Sequence, residues 1–589
     1  MYFRQSAEEQ QFLMDVAMGR KAPTLVIVGG QILNVYTGRL EQKDIVVAGR
    51  RIAFVGRSEQ SGVRTDASTK IFNASGKILV PGYIEPHAHP FQLYQPVSLA
   101  EKVLPLGTTT LIHDNLFFFA QLEDEKMLSI LKQLDNAAVK HFWWARLDPQ
   151  THLAQEKQHL FSYERVREFL SHPLVLQAGE LTDWLPLLQE DPTMSTWISD
   201  AKKYGKRVEG HAPGASYRTL SRLAAAGVTG DHESISVEEV WNRLELGYMV
   251  TLRHSSIRPD LPQLIKGLLE KQRVPWHRLM MTTDGVTPLY LKPGFTDYLI
   301  HTAIESGCDP IHAYQMVTIN PAVYYHLDEH LGGIAPGRLA DINLLASLES
   351  PTPVTVFAEG EKVADKGKCL TQLPQLDGEL FAKLRWRPDF RLSTADFSIP
   401  CEQGRKFPVI QMVNAVITKM TEETLVQHNG QIQWAEDDDR LLAFLVDRHG
   451  KWITPGVIHG FAKGIDGLAS SYTGSHDLLV IGRDPEMMAE AANRVLEQGG
   501  GIVWIQDQSV YMNLSLPIAG WISRDPIDQL ITQLEPFVDR LRAFGYPYSD
   551  PLYSFLFLSS THLPQVRLTA NGLMRVKDKK ILYPAVQRG

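Results

Sequence analysis

Cysteine is scarce in this chain. Its three residues, Cys308, Cys369 and Cys401, are far apart, so neither a disulfide framework nor a thiolate zinc motif is expected. No C-x-x-C occurs, which excludes the zinc-deaminase chemistry that pairs H-x-E with P-C-x-x-C. Positive charge is not in excess either. Lys and Arg number 59 against 67 Asp and Glu, a net charge of -8, which gives no electrostatic case for nucleic acid or an anionic membrane as partner. No apolar run approaches the roughly 20 residues of a membrane helix. Residues 1–10 are mostly polar, without a signal-peptide core. Internal repeats and low-complexity segments are also missing. A cytoplasmic protein in a reducing compartment is expected.

What is present is length and pattern. At 589 residues the chain exceeds one ordinary core, so two to four domains are expected. Phe12, Leu13 and Val16 lie at helical spacing and predict a helix over 7–20, within an N-terminal extension over 1–23. Short apolar runs separated by Gly-containing turns follow over 24–77, a small antiparallel β unit. The same texture returns over 328–365, and the two flanks are expected to form one composite β-sandwich. Residues 366–405 read as a linker. From 406 to 589 a C-terminal α/β domain is expected, with strands at 409–413, 478–481 and 501–505 and a helix over 484–498.

Between the flanks, over 78–327, strand and helix patterns alternate. Strand candidates begin at 78 and recur at 107–114, 141–148, 174–180, 207–211, 228–232, 249–253 and 278–284. Helices are predicted at 96–105, 124–138, 163–171, 194–204, 216–226, 236–246, 261–270 and 296–305. Eight such units predict an α/β fold of the (β/α)8 TIM-barrel type.

In such barrels active sites lie at the C-terminal strand ends. The first strand ends in His87 and His89, whose side chains share one face because strand side chains alternate. The second ends in Asp114, with His113 beside it, the fourth in Glu180, the fifth in His211, the sixth in His232-Glu233, the seventh in Arg253 and the eighth in Asp284. Four imidazoles and two carboxylates suit two divalent metals about 3.5–4 Å apart. Nitrogen and oxygen ligation without thiolate admits Zn, Mn or Fe(II). Asp284 is placed to take a proton from a metal-activated hydroxide and pass it to a leaving group.

These residues carry a resemblance. Pro81-Gly82 before H-x-H and the G-x-I-x-x-G-x-x-A-D run at 332–341 resemble the amidohydrolase superfamily. Glu209-Gly210-His211-Ala212-Pro213-Gly214, D-H-E-S at 231–234, T-T-D at 282–284, Ser475-His476 and Leu516-Pro517-Ile518-Ala519-Gly520 resemble the adenine deaminase family more closely. The resemblance implies hydrolytic removal of the 6-amino group of adenine, giving hypoxanthine and ammonia. It implies a binuclear site, usually Mn or Fe(II), with ligands His87, His89, Glu180, His211, His232 and Asp284. Many relatives bridge the metals with a carbamylated Lys; here Glu180 stands at that strand end and is the expected bridge. Catalytic roles fall on Asp284, Glu180 and His232, and substrate contacts on Asp114, Arg253, His254 and His476. The expected partners are a small purine-like molecule and further copies of the chain as a homo-oligomer.

The chain departs from the family pattern after H-x-H, where Pro90-Phe91-Gln92-Leu93 replaces an Ile-Glu-Ser-Ser run. Phe91, Phe117, Phe118 and Phe119 then predict either a more apolar mouth or core aromatics. Two alternatives follow: a hydrolase of the same scaffold acting on another aminated heterocycle or cyclic amide, and an inactive barrel that binds a small molecule. Trp143-Trp144 read as core, and His152, His159, His172 and His277 as solvated.

Overall fold

The computed structural model describes residues 3–57, 60, 62–135, 137–151, 159–382, 384, 386, 389–399, 406–428, 431–432, 434 and 438–588. His152 and Cys401 lie outside the described residues. The first helix runs Ala7–Ala17 and starts where its chemistry says it should: the Ser6 side chain accepts from the Glu9 amide while the Glu9 carboxylate accepts from the Ser6 amide, a capping box.

Eight parallel strands in sequential order form the central sheet. They are β1 (Tyr83–Ala88), β2 (Thr108–His113), β3 (Lys140–Ala145), β4 (Val175–Leu181), β5 (Arg207–Gly210), β6 (Gly230–Asp231), β7 (Met249–Arg253) and β8 (Leu279–Thr282). They are buried along nearly their whole length, as a parallel sheet covered on both faces requires. The first and last strands meet through side chains. Thr282 Oγ1 donates to Glu85 Oε1 at 2.6 Å, and the Thr283 amide donates to Glu85 Oε2 at 3.1 Å. The result is a nearly closed TIM-type barrel. Each predicted barrel helix is present within a few residues, for example Tyr163–Ser171, Tyr217–Ala226 and Thr296–Glu305.

Strands from both flanks pair in one sheet. Ile342–Leu345 pairs antiparallel with Ile78–Pro81, which in turn pairs parallel with Gln31–Asn34. The expected antiparallel unit needs one correction: Leu25–Val28 pairs parallel with Lys70–Asn73. A buried ion pair pins the sandwich to the base of the barrel. Lys140 Nζ, at the start of β3, donates to both carboxylate oxygens of Asp341 at 2.8 Å. The Asp that closes the 332–341 motif is therefore a structural residue.

The C-terminal region is a large, mostly antiparallel sheet of which three strands were foreseen. Its central pairs include Arg440–Val446 with Trp452–His459 and Gly467–Ser470 with Gly501–Gln506. Side-chain alternation divides its two faces. Leu441, Ala443, Leu445, Ile481 and Trp504 join the core that is continuous with the barrel. Leu442, Phe444, Val446, Val480 and Val503 pack instead around the helix Pro485–Glu497. The segment expected as a linker is not a free tether. Trp386, Leu392, Phe397 and Ile399 are buried in that second core, and Leu380 and Phe381 in the first.

Candidate active site

The barrel mouth gathers the predicted ligands. His87, Glu180 and His232 offer donor atoms within 4.8 Å of one another, as do His87, His89 and Asp284, and also His211, His232 and Glu233. His89 Nε2 lies 2.8 Å from Asp284 Oδ1, His211 Nδ1 lies 2.5 Å from Glu180 Oε1, and His232 Nε2 lies 3.5 Å from Glu180 Oε1. His87 Nε2 is fully enclosed yet has no hydrogen-bond partner among the described residues. Burying such an atom is costly unless something binds it, and the surrounding nitrogen and carboxylate donors are what a divalent ion takes. The donor set therefore fits a metal.

Several neighbours orient these groups. Arg146, on the segment after β3, is wholly buried. It donates to Asp114 Oδ1 at 2.8 Å and Oδ2 at 2.6 Å, and its Nη2 also reaches Glu180 Oε2 at 2.6 Å. Glu180 thus turns only Oε1 towards the histidines. Asp114 Oδ2 in turn lies 2.9 Å from His89 Nδ1. Glu209 Oε1 sits 3.3 Å from His232 Nδ1, the partner that sets which nitrogen of an imidazole faces a metal. Trp144 packs its ring 4.1 Å from that of His87, so this residue, expected as plain core, backs the H-x-H pair. Arg146 and Glu209 went unassigned in the sequence, and Glu233, named at its strand end, was given no role. All three follow or sit on barrel strands near their C-terminal ends, the signal that picked out the others.

Charge in this pocket is balanced by proximity. Burial opposes ionisation of Glu180, but Arg146 and His211 beside it hold its carboxyl well below the usual range. Burial likewise opposes charge on Asp284, yet Arg253 and His89 depress it strongly. Glu233, also buried, is held down to about 2 by His211, Arg253 and His232. His89 is desolvated, but Asp114 and Asp284 on either side push it up to about 9. Burial drives His87 well below its ordinary value, and the neighbouring His232 adds to this.

Two local backbone features shape the site. Gly179, before Glu180, has φ +90, and a Cβ there would meet the Glu209 carbonyl oxygen at 2.4 Å. Asp284 adopts φ +56, an uncommon conformation for a side-chain-bearing residue.

A cavity of about 640 Å³ opens over these residues. Its floor includes His89, Asp114, Glu180, His211, Arg253 and Asp284, and its far wall comes from the C-terminal region through His476, Trp521, Tyr553 and His562. Tyr553 Oη donates to the Gly285 carbonyl at 2.5 Å, tying that wall to the exit of β8. The mouth aromatics divide. Phe91 and Phe117 line the cavity and stack with Trp521, the Phe117 and Trp521 rings lying 4.9 Å apart and 7° from parallel. Phe118 packs on Trp143, and Phe119 on Phe161 and Phe169, as core.

Of the expected substrate contacts, His476 reaches the cavity and packs 4.6 Å from the Trp521 ring. Asp114 and Arg253 border it but are engaged with other side chains. Arg253 Nη1 lies 2.7 Å from Asp284 Oδ2 and pairs with Glu233. His254 is not brought to the cavity; its ring packs 5.7 Å from Tyr298, because one residue past Arg253 the side chain points to the other side. Of the histidines expected to be solvated, His159 and His277 are exposed and His172 is half-buried.

Comparison with known proteins agrees with this geometry. Residues 78–363 match the model of the amidohydrolase family, and residues 415–580 match that of the adenine deaminase C-terminal domain. Over 586 residues the chain is 39% identical to "Putative adenine deaminase BH0637" of Halalkalibacterium halodurans, covering 100% of this chain and 99% of that one. The chain belongs to the adenine deaminase family. Within that family it is also 38% identical to "Putative adenine deaminase YerA" of Bacillus subtilis over 98% of this chain and 97% of that one. It is 31% identical to "Adenine deaminase" of Cenarchaeum symbiosum over 97% and 94%. It is accordingly a hydrolase, and its membership of the amidohydrolases implies a divalent metal. No helix among the described residues is long and apolar enough to cross a membrane.

Proposed function

We propose that the protein hydrolyses adenine to hypoxanthine and ammonia. One observation carries the reading: a buried cluster of four histidines and two carboxylates faces a cavity whose opposite wall is the adenine deaminase C-terminal domain. His87, His89, Glu180, His211, His232 and Asp284 would hold two divalent ions, Mn(II) or Fe(II) in preference to Zn(II). When bound, such ions lower the pKa of water towards neutrality and so supply the nucleophile.

The chain's own groups do the rest. Arg253 holds Asp284 Oδ2 and leaves Oδ1 directed at the histidines. Asp284 takes a proton from the water that attacks C6 and delivers it to the amino nitrogen, which departs as ammonia. Arg146 and Glu209 keep Glu180 and His232 in place while this occurs. Phe91, Phe117 and Trp521 offer flat apolar faces to the planar base and keep bulk water away from it.

A second reading retains the chemistry and changes the substrate to another aminated heterocycle or a cyclic amide. The aromatic wall at the mouth favours it, since stacking accepts any planar ring. Incubating Mn-loaded protein with adenine and following both the ultraviolet change to hypoxanthine and ammonia release decides between them. Turnover of adenine is expected. Full metal loading with no ammonia released sinks the first reading and leaves the second.

A further inference from the structure

His562 is an imidazole that neither the barrel nor the proposed chemistry uses. It sits in the loop between the helix Pro551–Phe557 and the strand Val566–Thr569, within the C-terminal domain, and it borders the cavity. Its ring centroid is 6.4 Å from that of His211, and the two rings meet edge to face at 80°. It belongs to none of the metal-competent groups among the described residues.

The loop that carries it is anchored. Arg567, itself fully buried, donates from Nε to the Ser560 carbonyl at 3.2 Å and from Nη2 to the Val416 carbonyl at 3.0 Å. Ser559 Oγ accepts from the Ser475 amide at 3.1 Å, and the Leu568 amide donates to the Leu558 carbonyl at 3.0 Å. The backbone that carries the ring is therefore fixed before any ligand arrives, and such preorganisation favours selective recognition.

Its polar atoms are nonetheless unmatched. Nδ1 is enclosed and has no hydrogen-bond partner among the described residues. Since the ring borders the cavity, Nε2 is the atom left to meet a ligand. A neutral imidazole carries one N–H donor and one acceptor nitrogen.

We infer that His562 is a specificity-determining residue that donates a hydrogen bond from Nε2 to a ring nitrogen that flanks the reacting amino group of the substrate. The geometry supports that placement. In the adenine reading the reacting carbon lies among the ligand candidates, so a donor one ring away from His211 is placed on the side of the nitrogens that flank the amino group, N1 and N7. This inference rests on the adenine reading above and names what distinguishes that base from other planar rings. A site built around such a bond rejects analogues that lack the acceptor, because its own polar atom is left unpaired.

The test compares adenine with 1-deaza-, 3-deaza- and 7-deazaadenine, using calorimetric Kd on Mn-loaded protein alongside KM and kcat. For the wild type, 1-deaza- or 7-deazaadenine is expected to bind about 10- to 100-fold more weakly than adenine, and 3-deazaadenine equally well. His562→Phe is expected to bind adenine as weakly as the wild type binds the discriminated analogue, and to lose the discrimination itself. His562→Gln, which keeps a donor, is expected to recover part of it. Metal content and melting temperature should match the wild type in both variants, which separates recognition from damage to the fold. Wild-type Kd for adenine in His562→Phe, or discrimination unchanged in it, overturns the inference. If the wild type binds adenine without turning it over, deamination fails while the binding data still decide the role of His562; if it does not bind adenine, both fail.

Discussion

The barrel and the C-terminal domain approach the same cavity in different ways. The barrel presents ionisable groups at the ends of short, buried parallel strands, each locked by a second charged group: Arg146 on Glu180 and Asp114, Arg253 on Asp284 and Glu233, Glu209 on His232. The C-terminal domain presents rings: Trp521, Tyr553, His476 and His562. The contrast teaches a division of labour. Groups that would bind metal and move protons sit on the rigid scaffold, where strand geometry sets their spacing. Groups that would meet the flat face and edge of a substrate come mainly from the domain laid over it, joined by Phe91 and Phe117 of the barrel mouth.

That comparison can be broken from either side. The largest effect is expected at Asp284. Replacing it with Asn keeps the shape and removes the proton carrier, so kcat should fall by about 10³-fold. Steady-state kinetics with adenine check this, and a loss under tenfold would take Asp284 out of the chemistry. Next comes Arg146→Met. It leaves Asp114 and Glu180 as buried carboxylates without their cation, which should destabilise the protein by about 3–5 kcal/mol. The midpoint of guanidinium unfolding measures the loss, and an unchanged midpoint would show that the pair does not need it.

Gly179→Ala should cost about 2 kcal/mol, since φ +90 is strained for any side chain and the new Cβ would press on the Glu209 carbonyl. The same unfolding measurement applies, and a neutral result would mean the end of β4 around Glu180 relaxes freely. The smallest effect belongs to the other side of the cavity. Trp521→Ala should raise KM by about 3- to 10-fold through lost stacking while kcat stays within about twofold. A collapse of kcat instead would show that the C-terminal wall shapes the chemistry and not only the binding.

The same contrast explains what the sequence disclosed. In the barrel the parallel strands include near-continuous apolar runs such as Met249–Arg253 and Leu279–Thr282, each ending in a polar residue at a known height and followed by a helix pattern, so strands, helices and six ligand candidates were legible together. In the C-terminal sheet a run such as Arg440–Val446 is likewise apolar and buried on both faces, but it sits in a mostly antiparallel sheet without the repeating strand–helix spacing that marks a series. Several of its strands were therefore invisible until paired. Arg146 was missed because an arginine near a strand end looks like a surface charge; its burial follows only from the two carboxylates that Asp114 and Glu180 bring to it. His562 was missed for a more basic reason. Its position in the cavity depends on how the C-terminal domain docks across more than 300 residues of intervening chain, and no local pattern encodes that. His254 failed in the opposite sense, since adjacency to Arg253 in sequence places it on the other side of the segment.

The most direct test of this division is metal retention after dialysis, measured by elemental analysis on three proteins side by side: wild type, His232→Ala and Trp521→Ala. The wild type and Trp521→Ala should keep the same content, close to about two ions per chain, and His232→Ala should keep markedly less. If His232→Ala retains as much metal as the wild type, or Trp521→Ala loses it, the assignment of metal to the barrel and recognition to the C-terminal wall is wrong.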